Sequence, residues 1–152
     1  NVLKSIDKIT SPEGLGMSSK RITVSTSGVP KIIKKMADDE VKFNLAVSLH
    51  SAIDEVRTSI MPFNEIFPLK DLGESLVYWY EKTQRVVTYE YIVWDGINDK
   101  KEDIKTCKIE LLNRTNSTDK KEDINIKSHK TAHCGSGNIR YNACLFKIHP
   151  AK

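Results

Sequence analysis

The sequence predicts an α/β fold in which parallel strands form a curved sheet with helices on its outer face, a partial (βα) barrel. Three observations carry this. Up to about residue 112 the hydrophobic pattern alternates between helical and strand periodicity, as βα units require. Each strand pattern is apolar on one face and polar on the other, whereas parallel strands covered by helices on both sides are normally apolar throughout. Finally, polar turn-forming residues follow each strand: Ser25-Thr-Ser-Gly28, Ser48-Leu-His50-Ser51 and Asp95-Gly-Ile-Asn-Asp99.

Taken in order, Val2, Leu3 and Ile6 recur at helical spacing, and Thr10-Ser-Pro-Glu-Gly14 ends that helix. Arg21 to Ser25 reads as a strand. Ser27-Gly-Val-Pro30 is a tight turn with Pro near the start of a helix, whose apolar positions Val29, Ile32, Ile33 and Met36 form one stripe. Lys42 to Leu49 is a second strand. Ala52 to Ile60 is a short helix ended by Pro62, and Leu69, Leu72, Leu76, Trp79 and Tyr80 mark a longer amphipathic helix over 68–84. Val86 to Trp94 is a third strand. Asp99-x-x-Glu102 is a capping-box pattern that predicts a further helix through about Leu111, and Asn98-Asp99 is most simply its cap.

Strand parity divides the sheet. Ile22 and Val24 oppose Arg21, Thr23 and Ser25; Phe43, Leu45, Val47 and Leu49 oppose Asn44, Ala46 and Ser48, with His50 continuing the polar side; Val87, Tyr89, Tyr91 and Val93 oppose Thr88, Glu90, Ile92 and Trp94. A filled apolar barrel core would not place Glu90 and Ser48 inward, because an unpaired buried charge is costly. The pattern predicts a polar lumen that holds a ligand at the carboxyl ends of the strands, where βα loops gather functional groups. The alternative is an open sheet with one solvent face.

Composition bounds the rest. With 152 residues, 39% hydrophobic and 29% charged, one ordinary globular domain is expected. No apolar run approaches the ~18 residues of a membrane-spanning helix, and NVLKSIDKIT lacks the apolar stretch of a signal peptide. Cys107, Cys134 and Cys144 are too few for a disulfide framework, so a reducing, cytoplasmic compartment is expected and the Asn113 and Asn116 sequons carry no weight. The net charge of +4 is uneven: residues 113–152 hold eight Lys/Arg against three Asp/Glu, net +5, and the rest holds sixteen against seventeen, net −1. The division is therefore 1–112, a barrel segment, and 113–152, a basic tail with no assigned domain. Such a tail attracts polyanions without specificity. Asn1 opens directly in a helical pattern, so the chain is expected to be a piece of something longer.

Ser25-Thr-Ser-Gly28 suits an anionic or carboxylate ligand at a helix start, or simple N-capping by Ser27; the residues alone leave both open. Ser48 and His50 offer a hydroxyl and an imidazole able to bond a ribose or amino-acid group, without the orienting acid of a nucleophilic triad. His129, His133, Cys134, Cys144 and His149 lack the paired spacing of a structural zinc site on their second half, so no metal ligand is assigned. Gly135-Ser-Gly137 does not sit between a strand and a helix, as a dinucleotide loop would.

Arg21-Ile-Thr-Val-Ser-Thr-Ser-Gly28, Asn44-Leu-Ala-Val-Ser-Leu-His50-Ser-Ala-Ile-Asp-Glu-Val-Arg57, Met61-Pro-Phe-Asn64, Thr88-Tyr-Glu-Tyr91 and Asp95-Gly-Ile-Asn-Asp99 stand in the order and near-spacing of one family. Over about residues 1–106 the chain closely resembles the RlmN-type radical S-adenosylmethionine (SAM) methyltransferases, which methylate carbon 2 of adenine in 23S ribosomal RNA and transfer RNA. The resemblance implies a partial barrel of the radical SAM type, RNA as partner rather than DNA or membrane, and SAM contacts at Ser25, Ser48, Leu49 and His50. It leaves the roles of Glu90 and Asn98 open and assigns no catalytic residue. In that family a [4Fe–4S] cluster on a Cys-x3-Cys-x2-Cys loop cleaves SAM; no such loop occurs here, so this chain is expected not to hold the cluster. The Gly-Glu-Pro block and the Ala-Ala-Cys-Gly context of the methyl-carrying cysteine are also absent, and the turn after Ser27 is one residue short. Asn142-Ala-Cys-Leu145 echoes that context only weakly, so the carrier role is not placed on Cys144. Two function classes follow: a segment of the methyltransferase that contributes SAM contacts, or a non-catalytic half-barrel remnant with a basic RNA-binding tail.

Overall fold

Three parallel strands, β1 (Thr23–Thr26), β2 (Asn44–Ser48) and β3 (Val87–Val93), form the centre of the computed structural model. The structure describes residues 2–100, 102, 103 and 106, together with the backbone of strands β4 (Lys127–Lys130) and β5 (Asn142–Lys147). The helices are α1 (Val2–Thr10), α2 (Pro30–Asp38), α3 (Asp54–Ile60) and α4 (Leu69–Thr83). The sheet order is β1-β2-β3-β5-β4, with β5 antiparallel to both neighbours. Those two tail strands were not foreseen, and they continue the sheet beyond β3.

The apolar parity builds the core. Leu45 and Val47 of β2 are fully buried, and with Val87, Tyr89 and Tyr91 of β3 they pack against Ile33 and Met36 of α2 and Leu72, Leu76 and Trp79 of α4. Ile6 of α1 joins the same cluster. The opposite parity stays open: Ser25 is exposed, and Ser48, Thr88 and Glu90 are half-buried. The fold is thus a partial barrel wall with helices on one side and a polar face on the other.

Element ends differ from the sequence expectation at several points, α3 starting at Asp54 rather than Ala52 and β3 spanning Val87–Val93 rather than Val86–Trp94 among them. Arg21 ends a short 3-10 turn, Ser19–Arg21, held by Arg21 N–H to the Ser18 carbonyl at 2.9 Å, so β1 starts only at Thr23. β2 starts at Asn44, not Lys42, because pairing begins where Asn44 N–H meets the Ile22 carbonyl at 2.9 Å and its side chain caps the Lys20 carbonyl at 2.8 Å. The polar strand parity does not extend to His50, which leaves β2 in the left-handed region with φ of 60°. Helical backbone at Glu102, Asp103 and Thr106 falls within the helix expected after Asp99; its continuation to Leu111 lies outside the described residues. So do Cys107, His133, Cys134, His149, the Gly135–Gly137 segment and both sequons, while His129 and Cys144 are described only in their backbone.

Gly28 shows why the first turn needs its glycine. Its φ is 101°, and a Cβ there would lie 2.8 Å from Leu72 Cδ1 in the core. Only a residue without a side chain lets the β1–α2 turn lie on α4 in that conformation.

Candidate functional site

Glu90 gathers the polar face. In register Ser48 pairs with Glu90 across β2 and β3, and Ser25 pairs with Ala46 on the far strand. The Glu90 carboxylate receives the Ser48 hydroxyl at 3.0 Å and reaches across β2 to receive the Ser25 hydroxyl at 2.8 Å, both on Oε2. Oε1 accepts no hydrogen bond among the described residues. The arrangement presents a carboxylate oxygen and the free lone pairs of two hydroxyls, a set of acceptors suited to a ligand rich in donors or positive charge.

The β2 exit is held from three directions. Leu49 turns its side chain into the core, while its N–H donates to the Glu90 carbonyl at 2.9 Å. What Leu49 brings to the site is therefore fixed backbone. His50 is buried, and its Nδ1 accepts the Ile92 N–H at 3.3 Å, so the ring takes over where the β2 ladder stops. It meets the Trp94 ring edge-on, with centroids 5.2 Å apart. Burial, then the nearby Arg57 charge, lowers its pKa from the ordinary 6.5, with Glu90 opposing. His50 is thus held neutral with Nδ1 as an acceptor. Ser48 ends β2, whereas His50 lies beyond it in the left-handed region, so strand parity does not carry from one to the other.

Asn98 is not a helix cap. It is fully buried, and its Oδ1 accepts the Trp94 N–H at 2.7 Å while Nδ2 donates to the carbonyls of His50 at 2.7 Å and Ile92 at 2.9 Å. The Tyr91 hydroxyl donates to the Asn98 carbonyl at 2.9 Å. One amide therefore ties the β2 exit to the β3 exit. At the helix start it is Asp103 whose carboxylate accepts the Lys100 N–H, at 3.2 Å.

Arg57 was missed entirely by sequence reasoning. It is fully buried, its guanidinium donating to the carbonyls of Leu49 at 3.1 Å, Ser27 at 2.7 Å and Ser48 at 3.3 Å, and to Asn64 Oδ1. Phe63 covers the guanidinium at 5.4 Å from its ring centroid. Burial lowers its pKa, opposed by Asp54. Asp54 in turn accepts from Asn64 Nδ2 at 2.8 Å and from the Leu69 N–H at 2.9 Å. The one sign in the sequence was that Arg57 and Asn64 both stand in the family-like blocks.

The chain is similar to proteins of known kind. It is 64% identical over 121 residues to a probable dual-specificity RNA methyltransferase RlmN of Christiangramia forsetii, covering 74% of this chain and 34% of that protein. A protein of the same description from Flavobacterium johnsoniae is 68% identical over 121 residues, with 35% of its length covered. Among solved structures, a radical SAM methyltransferase from Sphaerobacter thermophilus matches with a TM-score of 0.69 and 31% identity, over 76% of this chain and 33% of that one. The chain spans about a third of the length of the curated relatives it matches. No family model matches it.

Proposed function

We propose that this stretch of chain belongs to the RlmN-type radical SAM methyltransferases, and that it forms the SAM-binding edge of an enzyme that methylates carbon 2 of adenine in 23S ribosomal RNA and transfer RNA. The observation that carries this is the meeting of Ser25 and Ser48, at the carboxyl ends of β1 and β2, on the Glu90 carboxylate at the middle of β3. SAM bears a sulfonium, an ammonium and one carboxylate, so it is a net cation rich in donors, and a carboxylate flanked by two hydroxyls fits it. When bound, SAM supplies the carbon that is transferred. Ser25 and Ser48 accept from its polar groups, Leu49 fixes the turn between them, and neutral His50 shapes the wall beside Trp94.

The [4Fe–4S] cluster of the family requires three thiolates in one short loop, which Cys107, Cys134 and Cys144 do not offer by their spacing, so no step is derived through it. Residues 1–112 are proposed as the barrel wall, which β5 and β4 of the basic tail extend as antiparallel strands; the charge of that tail is the feature proposed to attract RNA. A cytoplasmic location is proposed on the same footing, from the RNA-directed names of the relatives. No described helix is long and apolar enough to cross a membrane.

The test is product analysis. Full-length protein, reconstituted anaerobically and given SAM with transcripts of 23S ribosomal RNA or transfer RNA, should yield 2-methyladenosine on nucleoside mass spectrometry. Methylation at another position, or none from protein shown to bind SAM, overturns the assignment.

A further inference from the structure

The Arg57 side chain is a cation buried to 0% exposure whose guanidinium meets, among the described residues, three backbone carbonyls, one side-chain amide and an aromatic ring, with no carboxylate hydrogen-bonded to it. Stability alone gives no reason to keep it, since apolar side chains of similar volume commonly replace buried charges without loss. Its partners suggest what it does. The β1–β2 ladder ends at Thr26 and Val47. Just beyond, one nitrogen, Nη2, bonds both the Ser27 carbonyl, at 2.7 Å, and the Ser48 carbonyl, at 3.3 Å, while Nε takes the next carbonyl, Leu49, at 3.1 Å. The fork continues the ladder past the point where the two chains diverge into their turns. Asn64 holds the guanidinium plane from the other side, itself fixed by Asp54 and by Thr58 Oγ1 at 3.0 Å.

We propose that Arg57 is the positioning residue of the site: its planar fork sets the spacing between the β1 and β2 exits, and hence the distance at which Ser25 and Ser48 converge on Glu90 before SAM arrives. This rests on the SAM-edge reading above and adds to it the device that preorganises the edge. Only a planar, multidentate donor serves, because the acceptors belong to two separate turns; a lysine ammonium is a point charge and cannot span them in the same geometry.

Arg57→Lys in the full-length protein tests this by SAM titration calorimetry and thermal melting together. The expected result is SAM binding weakened roughly tenfold to a hundredfold, as loss of charge-assisted hydrogen bonds gives. Leu76→Ala, a core truncation in α4 away from the turns, lowers the melting temperature while leaving SAM affinity within about twofold, because cavity costs fall on folding. A second readout needs no variant: in the wild type, NMR of the Arg57 Nε–H should show slow solvent exchange already in the absence of SAM, because the fork is in place beforehand. Arg57→Lys that folds and binds SAM like the wild type overturns the proposal, as does an Arg57 Nε–H that exchanges freely until SAM is added. Equal loss of SAM affinity in Leu76→Ala also overturns it, since the effect would then be general destabilisation. A wild-type protein that binds no SAM is a different outcome, overturning the site reading on which the proposal rests.

Discussion

Replacing Asn98 by alanine removes an amide that satisfies three backbone groups at once. The Trp94 N–H, held at 2.7 Å, loses its acceptor, and the carbonyls of His50 and Ile92 lose donors at 2.7 and 2.9 Å. Stranding a buried donor or acceptor costs about 1–3 kcal/mol. The two carbonyls each have a second lone pair, so their share is smaller, and the whole change is expected near 2–4 kcal/mol. The informative control is Asn98→Asp. At a helix cap, aspartate is as good as asparagine, and loss of the cap costs about 1 kcal/mol. At the tie described here, aspartate keeps the Trp94 acceptor but sets a carboxylate oxygen against two carbonyls, so it should destabilise at least as much as alanine. Urea denaturation followed by tryptophan fluorescence, with m-values checked for constancy, measures both. An Asn98→Asp protein as stable as the wild type, with Asn98→Ala down by no more than about 1 kcal/mol, refutes the tie and restores the cap.

Strand parity gives an opposed pair: Leu45→Ala, facing the helices at 0% exposure, should lose about 2–5 kcal/mol of stability, whereas Ser48→Ala should melt like the wild type and bind SAM up to about tenfold more weakly; paired melts and calorimetry separate them, and the reverse outcome inverts the parity. Glu90→Gln removes the charge proposed to face SAM: a unit pair at about 6 Å and an effective dielectric of about 20 is worth roughly 3 kcal/mol before salt and exposure reduce it, so calorimetry should show SAM affinity falling about tenfold, with a weaker dependence on ionic strength, and unchanged affinity would exclude Glu90 from the site. The depressed pKa of His50 makes folding lose stability as pH falls below 6.5, where the unfolded chain takes up a proton that the folded ring resists; stability is complete above that value, and denaturation at a series of pH values should show the decline reduced in His50→Gln, an identical slope in the variant assigning it to other groups.

The sheet was legible because its signal is local and repeated. Alternation through Leu45, Val47 and Leu49 fixes which residues meet α2 and α4, and the same period places Ser48 and Glu90 together. The stripe Leu69, Leu72, Leu76 and Trp79 likewise found α4, whose described bounds, Leu69–Thr83, lie one residue inside the expected ones at each end. What the pattern could not carry was anything set by tertiary demand. Arg57 stands in a short helix among Asp54, Glu55 and Thr58, where a charged residue normally reads as surface; its burial depends on carbonyls from two other turns and on Asn64. Asn98 stood beside an acidic capping pattern, and nothing local distinguishes an amide that caps from one that reaches the His50 carbonyl 48 residues away in sequence. His50 escaped the strand pattern because it leaves β2 in the left-handed region, a conformation uncommon for any residue with a side chain and one that alternation does not register. The pairing of Asn142–Lys147 with β3 had no foretelling either, since antiparallel partners that distant leave no periodic trace.

The proposed site sets SAM against the exits of β1, β2 and β3. Amide hydrogen exchange of the full-length protein, measured by mass spectrometry with and without saturating SAM, tests this directly. SAM-dependent protection is expected in peptides spanning Ser25–Gly28, Ser48–Ser51 and Glu90–Asn98, with little change in α1 or along the outer surfaces of α2 and α4. SAM binding that leaves those three segments unprotected, or that protects the helical face instead, would contradict it.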